Sequence, residues 1–203
     1  MKRIAILCIA LVCVFSVAAF ADTMYTLTPP ANDDLGYGAG AGMTRGDIVK
    51  MTGNYNVTSI GIDGILANGY TTSFTAYVYA SDGISGTTPL MTNTISVTGT
   101  GQKTFVTIPL TYTLQSGTYY DIGVGWTNFN DPNWQVHYYN FAPPQAPFQY
   151  GPFSVLDGEE SHCGPCNAYT PNLQVDAVPE PGTFLMLGTG VLGLAGALRR
   201  KLF

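Results

Sequence analysis

The sequence contains few charged residues, and very few of them are basic. Lys, Arg, Asp and Glu make up 10% of the 203 residues, and five of the eight basic residues lie in the first three or the last five positions. Residues 22–178 therefore hold three basic residues against twelve acidic ones, a formal charge of −9. A surface of this sign repels phosphate backbones and anionic lipid headgroups, so nucleic-acid binding is excluded.

Residues typical of catalytic sites are also rare. The sequence has two histidines, His137 and His162, and it contains no nucleophile elbow, no HExxH and no paired-glutamate pattern. We therefore predict a protein without enzymatic activity, cofactor or metal. The alternative from another functional class is a secreted carbohydrate-active hydrolase with an unrecognised carboxylate pair.

The N-terminus has the three parts of a secretory signal peptide. Lys2 and Arg3 precede an uncharged apolar run over residues 4–17, and Ala19-Phe20-Ala21 provides a small-residue cleavage site. We predict a signal peptide over residues 1–21 and a mature chain that begins outside the cytoplasm. A signal anchor or a buried helix, the alternatives, would leave the cleavage site unexplained.

The C-terminus carries a second apolar segment, followed by three cations. Residues 183–198 contain no charge, and as a helix they would span about 24 Å at ~1.5 Å per residue. This is short for a hydrocarbon core of about 30 Å. Arg199, Arg200 and Lys201 are expected to stay on the cytoplasmic side. The segment predicts a short transmembrane helix, and its simplest function is that of a tail anchor in the envelope.

Pro179, Glu180 and Pro181 precede this segment, and the order Pro-Glu-Pro, apolar helix and basic cluster resembles the PEP-CTERM sorting signal. The resemblance covers residues 179–203. It implies an exosortase-type membrane enzyme as partner in a Gram-negative bacterium that produces exopolysaccharide. It also implies transient retention in the inner membrane, processing near the Pro-Glu-Pro, and delivery to the cell surface or extracellular matrix. We therefore expect a surface- or matrix-associated structural or binding protein, with exopolysaccharide as a candidate partner.

Two of the four cysteines lie in the predicted signal peptide, which leaves Cys163 and Cys166. Their CGPC string is the redox motif of thioredoxins, but the residues that follow do not predict the helix that lowers the first thiol's pKa there. A zinc site formed with His137 and His162 has suitable ligand types, yet adjacent residues 162 and 163 would struggle to reach one ion. An oxidising compartment favours a disulfide between Cys163 and Cys166.

Residues 22–178 are long enough for one domain, and their composition favours β structure. Thr, Tyr, Val, Ile and Phe are abundant, while the residue mixture of surface helices is scarce. In TSFTAYVYA, Phe74, Ala76 and Val78 alternate with Thr75 and Tyr77 in the period of a strand. Such patterns predict strands at residues 57–65, 72–80, 90–98, 104–110, 118–126, 134–141 and 172–178.

The spacing L-x-x-G-x-x-Y-x-I-x-V indicates how these strands are arranged. Leu114, Gly117, Tyr120, Ile122 and Val124 follow it. It resembles the tyrosine corner of fibronectin type III and immunoglobulin-like domains. We predict an all-β fold, a single antiparallel β-sandwich that is immunoglobulin-, fibronectin III- or jelly-roll-like.

Aromatic residues crowd residues 126–153 and alternate there with amide and carboxylate side chains. Such a surface suits polysaccharide, and Trp126, Trp134, Tyr138 and Tyr150 are the candidate glycan contacts. Most of these rings could instead form the core of the sandwich, and we favour that position for at least half of them. A Pro-rich loop is predicted over residues 142–171.

Two acidic stretches contain oxygen ligands of the type that calcium prefers. They are residues 157–160, with the sequence DGEE, and residues 128–133, with the sequence NFNDPN. Neither follows a known calcium-loop spacing. Because Asn, Asp, Gly and Pro are the ordinary turn residues, we interpret both stretches as solvated turns.

Overall fold

The computed structural model describes residues 23–27, 34–40, 44–128, 131–140, 148–160 and 169–180. The chain divides into two units, residues 24–177 and the two ends (1–23 with 178–203), and nearly all described residues belong to the first. The predicted signal peptide, the predicted apolar helix and both cysteines of the predicted disulfide lie outside the described residues. Within the described ranges, no helix is long and apolar enough to span a membrane.

The described residues form thirteen β-strands and no helix, which confirms the predicted all-β class. In chain order the strands are β1 (Thr23–Leu27), β2 (Asp34–Gly40), β3 (Thr44–Met51), β4 (Tyr55–Leu66), β5 (Thr71–Ser81), β6 (Gly86–Thr98), β7 (Lys103–Leu114), β8 (Tyr119–Trp126), β9 (Asp131–Asn140), β10 (Phe148–Tyr150), β11 (Phe153–Glu160), β12 (Tyr169–Pro171) and β13 (Leu173–Pro179).

These strands are arranged in two sheets. The six-stranded sheet has the order β10-β11-β3-β8-β5-β6. The seven-stranded sheet has the order β1-β13-β4-β9-β12, with β7 also paired to β4 and β2 also paired to β9. Neighbouring strands pair antiparallel, as β5 does with both β6 and β8.

Side chains that alternate along the strands fill the space between the two sheets. Phe74, Ala76 and Val78 of β5 are fully buried, as their period-two spacing predicted. The Phe74 ring contacts the Trp134 ring of the seven-stranded sheet, with 4.8 Å between ring centroids. Both sheets contribute to one apolar core. Each large apolar side chain buried there stabilises the fold by about 1.5–3 kcal/mol.

The predicted tyrosine corner is present where β7 turns into β8. The Tyr120 hydroxyl accepts a hydrogen bond of 3.0 Å from the backbone N–H of Gln115. Gly117 has φ +79°, a conformation that a residue without a Cβ adopts at no steric cost. Leu114 and Tyr120 are both buried in the core. The spacing therefore predicted a real hydrogen bond between the strand and the turn before it.

All seven predicted strands are present, with ends that differ by at most four residues, but six further strands were missed. The predicted loop over residues 142–171 is wrong in part. Residues 148–160 form a β10–β11 hairpin around Gly151 and Pro152, and residues 169–171 form β12. The remaining residues of that loop lie outside the described part of the chain.

Candidate functional site

Strands β4 and β9 pair only over a short stretch, and the chain from β12 to β13 occupies the fork between them. Residues 64–66 of β4 pair with residues 134–136 of β9, whereas β12 pairs with residues 138–140. Asn172 lies where the chain passes from β9 to β4. Its N–H donates to the carbonyl of His137 (3.1 Å), and its carbonyl accepts from the N–H of Asp63 (3.0 Å). The backbone of Asn172 therefore links both strands.

The side chains at this fork form a buried hydrogen-bond network centred on Asp63. Its Oδ2 lies 3.0 Å from His137 Nδ1, 3.1 Å from Asn172 Nδ2 and 3.3 Å from Lys103 Nζ. Because an amide nitrogen and an ammonium can only donate, this oxygen is an acceptor, and His137 Nδ1 carries the hydrogen of their bond. The sequence did not single out Asp63, although an acidic residue within the apolar strand SIGIDGIL was a usable signal.

A carboxylate that orients an imidazole is also one half of the acid–base machinery of many hydrolases. At the fork, however, Asp63 and His137 are each about 1% exposed, and only Lys103 extends into solvent. A substrate cannot reach the imidazole in this conformation. The arrangement is suited to holding β4, β9 and β13 together.

A second polar cluster lies in the six-stranded sheet around Asp47. Asp47 is completely buried, and among the described residues neither of its carboxylate oxygens has a hydrogen-bond partner. Burial raises its pKa well above the ordinary value, and the nearby charges of Asp121, Asp157 and Glu159 raise it further. Because the charged form is disfavoured by both effects, the site stabilises a protonated carboxyl.

Tyr77 belongs to this cluster and lies on the face of the sheet opposite the apolar core. Its hydroxyl donates to Glu159 Oε2 at 3.3 Å. The ring fits because Gly46 and Gly123 lie beneath it, since a Cβ on either glycine would clash with the Tyr77 hydroxyl. Burial raises the Tyr77 pKa, and the charges of Asp121 and Glu159 add to the effect.

The prediction of a solvated turn at residues 157–160 is wrong. These residues complete β11, and Glu159 is fully buried. An alternating strand pattern would have placed Asp157 and Glu159 on one face, but their charge favoured a turn. Among the described residues, no three His, Cys, Asp or Glu side chains are placed to hold one metal ion.

The acidic residue of the other stretch, Asp131, is the first residue of β9 and is 2% exposed, so the prediction of a solvated turn is wrong there as well. Its Oδ1 accepts from the backbone N–H of Asn133 at 2.9 Å, and its Oδ2 accepts from the Tyr70 hydroxyl at 3.1 Å. Asn128 donates to both Oδ2 and the Tyr70 hydroxyl. These bonds fix the entry to β9, because an aspartate can replace backbone acceptors in a turn.

Two of the four candidate glycan contacts are core residues, which corrects that prediction. Trp134 is fully buried and Trp126 is 4% exposed, and their ring centroids lie 6.1 Å apart. Neither ring is available to a sugar. Tyr150 is packed against the core with its hydroxyl buried, and burial raises its pKa to about 12. The side chain of Tyr138 lies outside the described atoms.

Other aromatic rings do reach the surface, on the outer face of the six-stranded sheet. Tyr79 pairs with Asp121 of β8, and Tyr119 pairs with Lys50 of β3. Both tyrosines are partly exposed. The ammonium of Lys50 lies 5.1 Å from the centroid of the Tyr119 ring, a distance at which a cation is attracted to the ring face.

The last strand of the fold runs directly into the Pro-Glu-Pro. Asp176 of β13 accepts hydrogen bonds from the hydroxyls of Ser59 and Thr58, at its side chain and its backbone carbonyl respectively. Ala177 is completely buried, and β13 ends at Pro179. Glu180 is the first residue after the strand. The folded domain therefore has no linker before this sequence.

Residues 177–201 match the PEP-CTERM protein-sorting motif, which confirms the resemblance of the tail. The match includes Pro179, Glu180, Pro181, Arg199, Arg200 and Lys201. No curated protein matches the chain. The motif implies a secreted protein that a membrane exosortase sorts, and it indicates export towards the surface of a Gram-negative cell.

Proposed function

We propose that this chain is a structural or binding protein of the cell surface or exopolysaccharide matrix, without catalytic activity, whose tail serves only for delivery. One observation carries the proposal. Ala177 is both a core residue of the two-sheet domain and the first residue of the sorting motif. The domain and its sorting signal are therefore continuous, and the protein that remains after processing is the domain itself.

The position of β13 limits where processing leaves an intact domain. Leu173, Val175 and Ala177 are fully buried in the shared core. Removing any of them would expose apolar surface and open a cavity, at a cost of about 2–5 kcal/mol for each large side chain. We therefore expect processing after the buried residues, beyond Pro179, where the strand has ended.

The outer face of the six-stranded sheet is the surface that we propose for exopolysaccharide binding. Aromatic faces stack on the C–H faces of sugars, while carboxylate and ammonium groups hydrogen-bond sugar hydroxyls. Tyr79 and Tyr119 supply partly exposed rings, and Lys50 and Asp157 supply partly exposed polar groups on the neighbouring strands. The tryptophans at the core have no part in it.

Binding of the secreted protein to purified exopolysaccharide tests this proposal. We expect Tyr79→Ala and Tyr119→Ala each to weaken binding about tenfold, equivalent to ~1.4 kcal/mol. Met24→Ala is the matched control, because Met24 is an exposed apolar side chain (59%) of the seven-stranded sheet. Circular dichroism of each variant verifies the fold. Absence of binding by the unmodified protein would contradict an exopolysaccharide-binding function.

A second candidate is the secreted carbohydrate-active hydrolase, which is favoured by two neighbouring carboxyl groups with raised pKa, the buried Asp47 and the partly exposed Asp157. A panel of glycosides distinguishes the two functions. Turnover that is lost in Asp157→Asn, while the variant remains folded, would establish the hydrolase and refute the non-catalytic proposal. A plain tail anchor is the third possibility, and recovery of the native chain still ending at Phe203 would establish it.

A further inference from the structure

Strand β6 forms an open edge of the six-stranded sheet. It is thirteen residues long and pairs with β5 along one side. Among the described strands, none pairs with its other side. All thirteen residues of β6 are exposed or partly exposed, on both faces of the strand, and Leu90 and Met91 are each 38% exposed. Such an edge presents unpaired backbone N–H and C=O groups that another strand can bind.

The usual obstacles to edge pairing are confined to the first part of β6. Natural proteins protect edge strands with charged residues, proline or bulges. Here Pro89 interrupts the strand, and the pairing with β5 shifts register between the positions of Pro89 and Met91. Residues 91–98, with the sequence MTNTISVT, contain no charge and no proline, and their register with β5 is regular. This eight-residue segment is the part that can accept a further strand.

The same region is one of the stretches in which a strongly acidic domain carries almost no charge. Residues 22–178 have a formal charge of −9, but residues 83–120 contain a single charged residue, Lys103. Two copies of the chain repel each other over most of their surface. Through β6 they can approach without bringing carboxylates together. A basic partner would instead favour the acidic parts of the surface.

The side chains of β6 are suited to pairing with an identical strand. Thr94 already hydrogen-bonds Thr75 of β5 at 2.7 Å between hydroxyl oxygens, and Thr98 bonds Thr71 at 2.8 Å. Cross-strand threonine pairs of this kind stabilise sheets. Asn93 donates to the carbonyl of Pro109 in β7 at 2.6 Å, which fixes the edge against the other sheet. A second β6, running antiparallel, would repeat the same threonine contacts.

We propose that two copies of this chain associate through antiparallel pairing of residues 91–98 of β6, which joins their six-stranded sheets edge to edge. The pairing is symmetric, so each copy offers the same segment to the other. It covers Met91 and the open backbone groups of both strands. This inference does not depend on whether the outer tyrosines bind exopolysaccharide.

Cysteine cross-linking on the cell envelope tests the pairing in the full chain with its own signal and tail. Single cysteines replace Thr92, Thr94, Ser96 and Thr98, and a short thiol cross-linker is added before extraction. We expect a cross-linked dimer from at least one of these four positions, above the level given by the unmodified chain with its own cysteines. Ser116→Cys, exposed in the turn between β7 and β8, is the matched control and should give no such dimer.

A charge variant separates edge pairing from chance collisions. Thr94→Lys, combined with the cysteine that cross-links best among positions 92, 96 and 98, brings two cations together across the symmetric pair and should lower the dimer yield at least tenfold. Thr127→Lys adds the same charge at an exposed position outside β6 and should leave the yield unchanged. Circular dichroism verifies that both variants fold. Failure of all four β6 cysteines to cross-link, or a yield that Thr94→Lys does not lower, would overturn the proposal.

Discussion

Asp63 is hydrogen-bonded to residues that lie 74 and 109 positions further along the chain, His137 and Asn172. Each bond to a charged acceptor contributes about 1.5–3 kcal/mol, and a buried donor left without its partner costs a similar amount. The contact to Lys103 adds little, because that side chain is half exposed and its ion pair is screened by water. Stability at the fork therefore depends on the buried members.

We expect Asp63→Ala to lower the free energy of unfolding by about 3 kcal/mol or more, because it removes the carboxylate that accepts hydrogen bonds from both the His137 ring and the Asn172 amide. Urea unfolding followed by circular dichroism measures the change. Asp82→Ala is the control, since Asp82 is exposed in the β5–β6 turn and should change stability much less. Equal midpoints for Asp63→Ala and the unmodified chain would show that the fork does not stabilise the fold.

Asp47 makes stability depend on pH in a definite direction. Its pKa is raised in the folded state by burial and by neighbouring carboxylates, so the folded protein binds its proton more tightly than the unfolded chain does. The stability contributed by this proton is fully present below the ordinary pKa of 3.8 and is lost as the pH rises through the folded-state pKa.

Asp47→Asn should therefore raise the unfolding midpoint at pH 8 and change it little at pH 4, because an amide fills the site without a charge. Thermal unfolding at the two pH values measures this. Asp82→Asn is the control of opposite sign, since backbone N–H groups of Ser85 and Ile84 lower the Asp82 pKa. A lower midpoint for Asp47→Asn at pH 8 would mean that an ionised Asp47 stabilises the fold.

At the scale of the strands, the β7–β8 corner could be predicted from the sequence because its contacts are local. All its parts lie within eleven residues, from Leu114 to Val124, and the hydroxyl of Tyr120 reaches a backbone N–H only five positions away. A pattern of residue types at fixed spacing can specify such a contact, because the chain between the partners is short.

Tyr120→Phe removes this hydrogen bond while keeping the ring in the core, and we expect it to destabilise the domain by about 1 kcal/mol. Tyr112→Phe is the matched control. The Tyr112 ring lies 6.3 Å from that of Tyr120, and its hydroxyl forms no hydrogen bond within the described part of the chain. A shift in the urea midpoint that is no larger for Tyr120→Phe than for Tyr112→Phe would contradict the tyrosine-corner interpretation.

The strands that sequence reasoning missed have physical reasons in common. β3 and β11 carry charged residues among their apolar ones, and the buried Asp47 and Glu159 looked like surface residues. β10 and β12 have only three residues each, too few for a period to appear. The tryptophans were ambiguous because an aromatic ring fits a core and a sugar-binding surface equally well. The fork could not be anticipated, since its members meet only through the sheet topology.

At the scale of the whole molecule, charge and fold divide the chain into regions with separate tasks. The cations lie mainly at the two ends, whereas the domain between them is acidic and includes a segment with almost no charge around β6. The sorting motif begins inside the last core strand, so the domain cannot lose the motif entirely without losing part of its core. The sorting motif and the last strand of the domain therefore overlap at Ala177–Pro179. Substitutions beyond Pro179 should affect delivery of the protein but not its folding.

Replacing Arg199, Arg200 and Lys201 by glutamine tests this separation. The three cations are expected to hold the tail on the cytoplasmic side, so their loss should impair retention and processing. The unfolding midpoint of the domain should stay the same, because these residues lie beyond its last strand. Mass spectrometry of the C-terminus should find the unmodified chain cut after Pro179, and the triple variant largely uncut or mislocalised.

Lys50→Gln, which removes a cation from the domain surface, is the control and should be processed normally. An unmodified chain that still ends at Phe203 in the envelope, or one cut before Ala177, would refute this division of tasks.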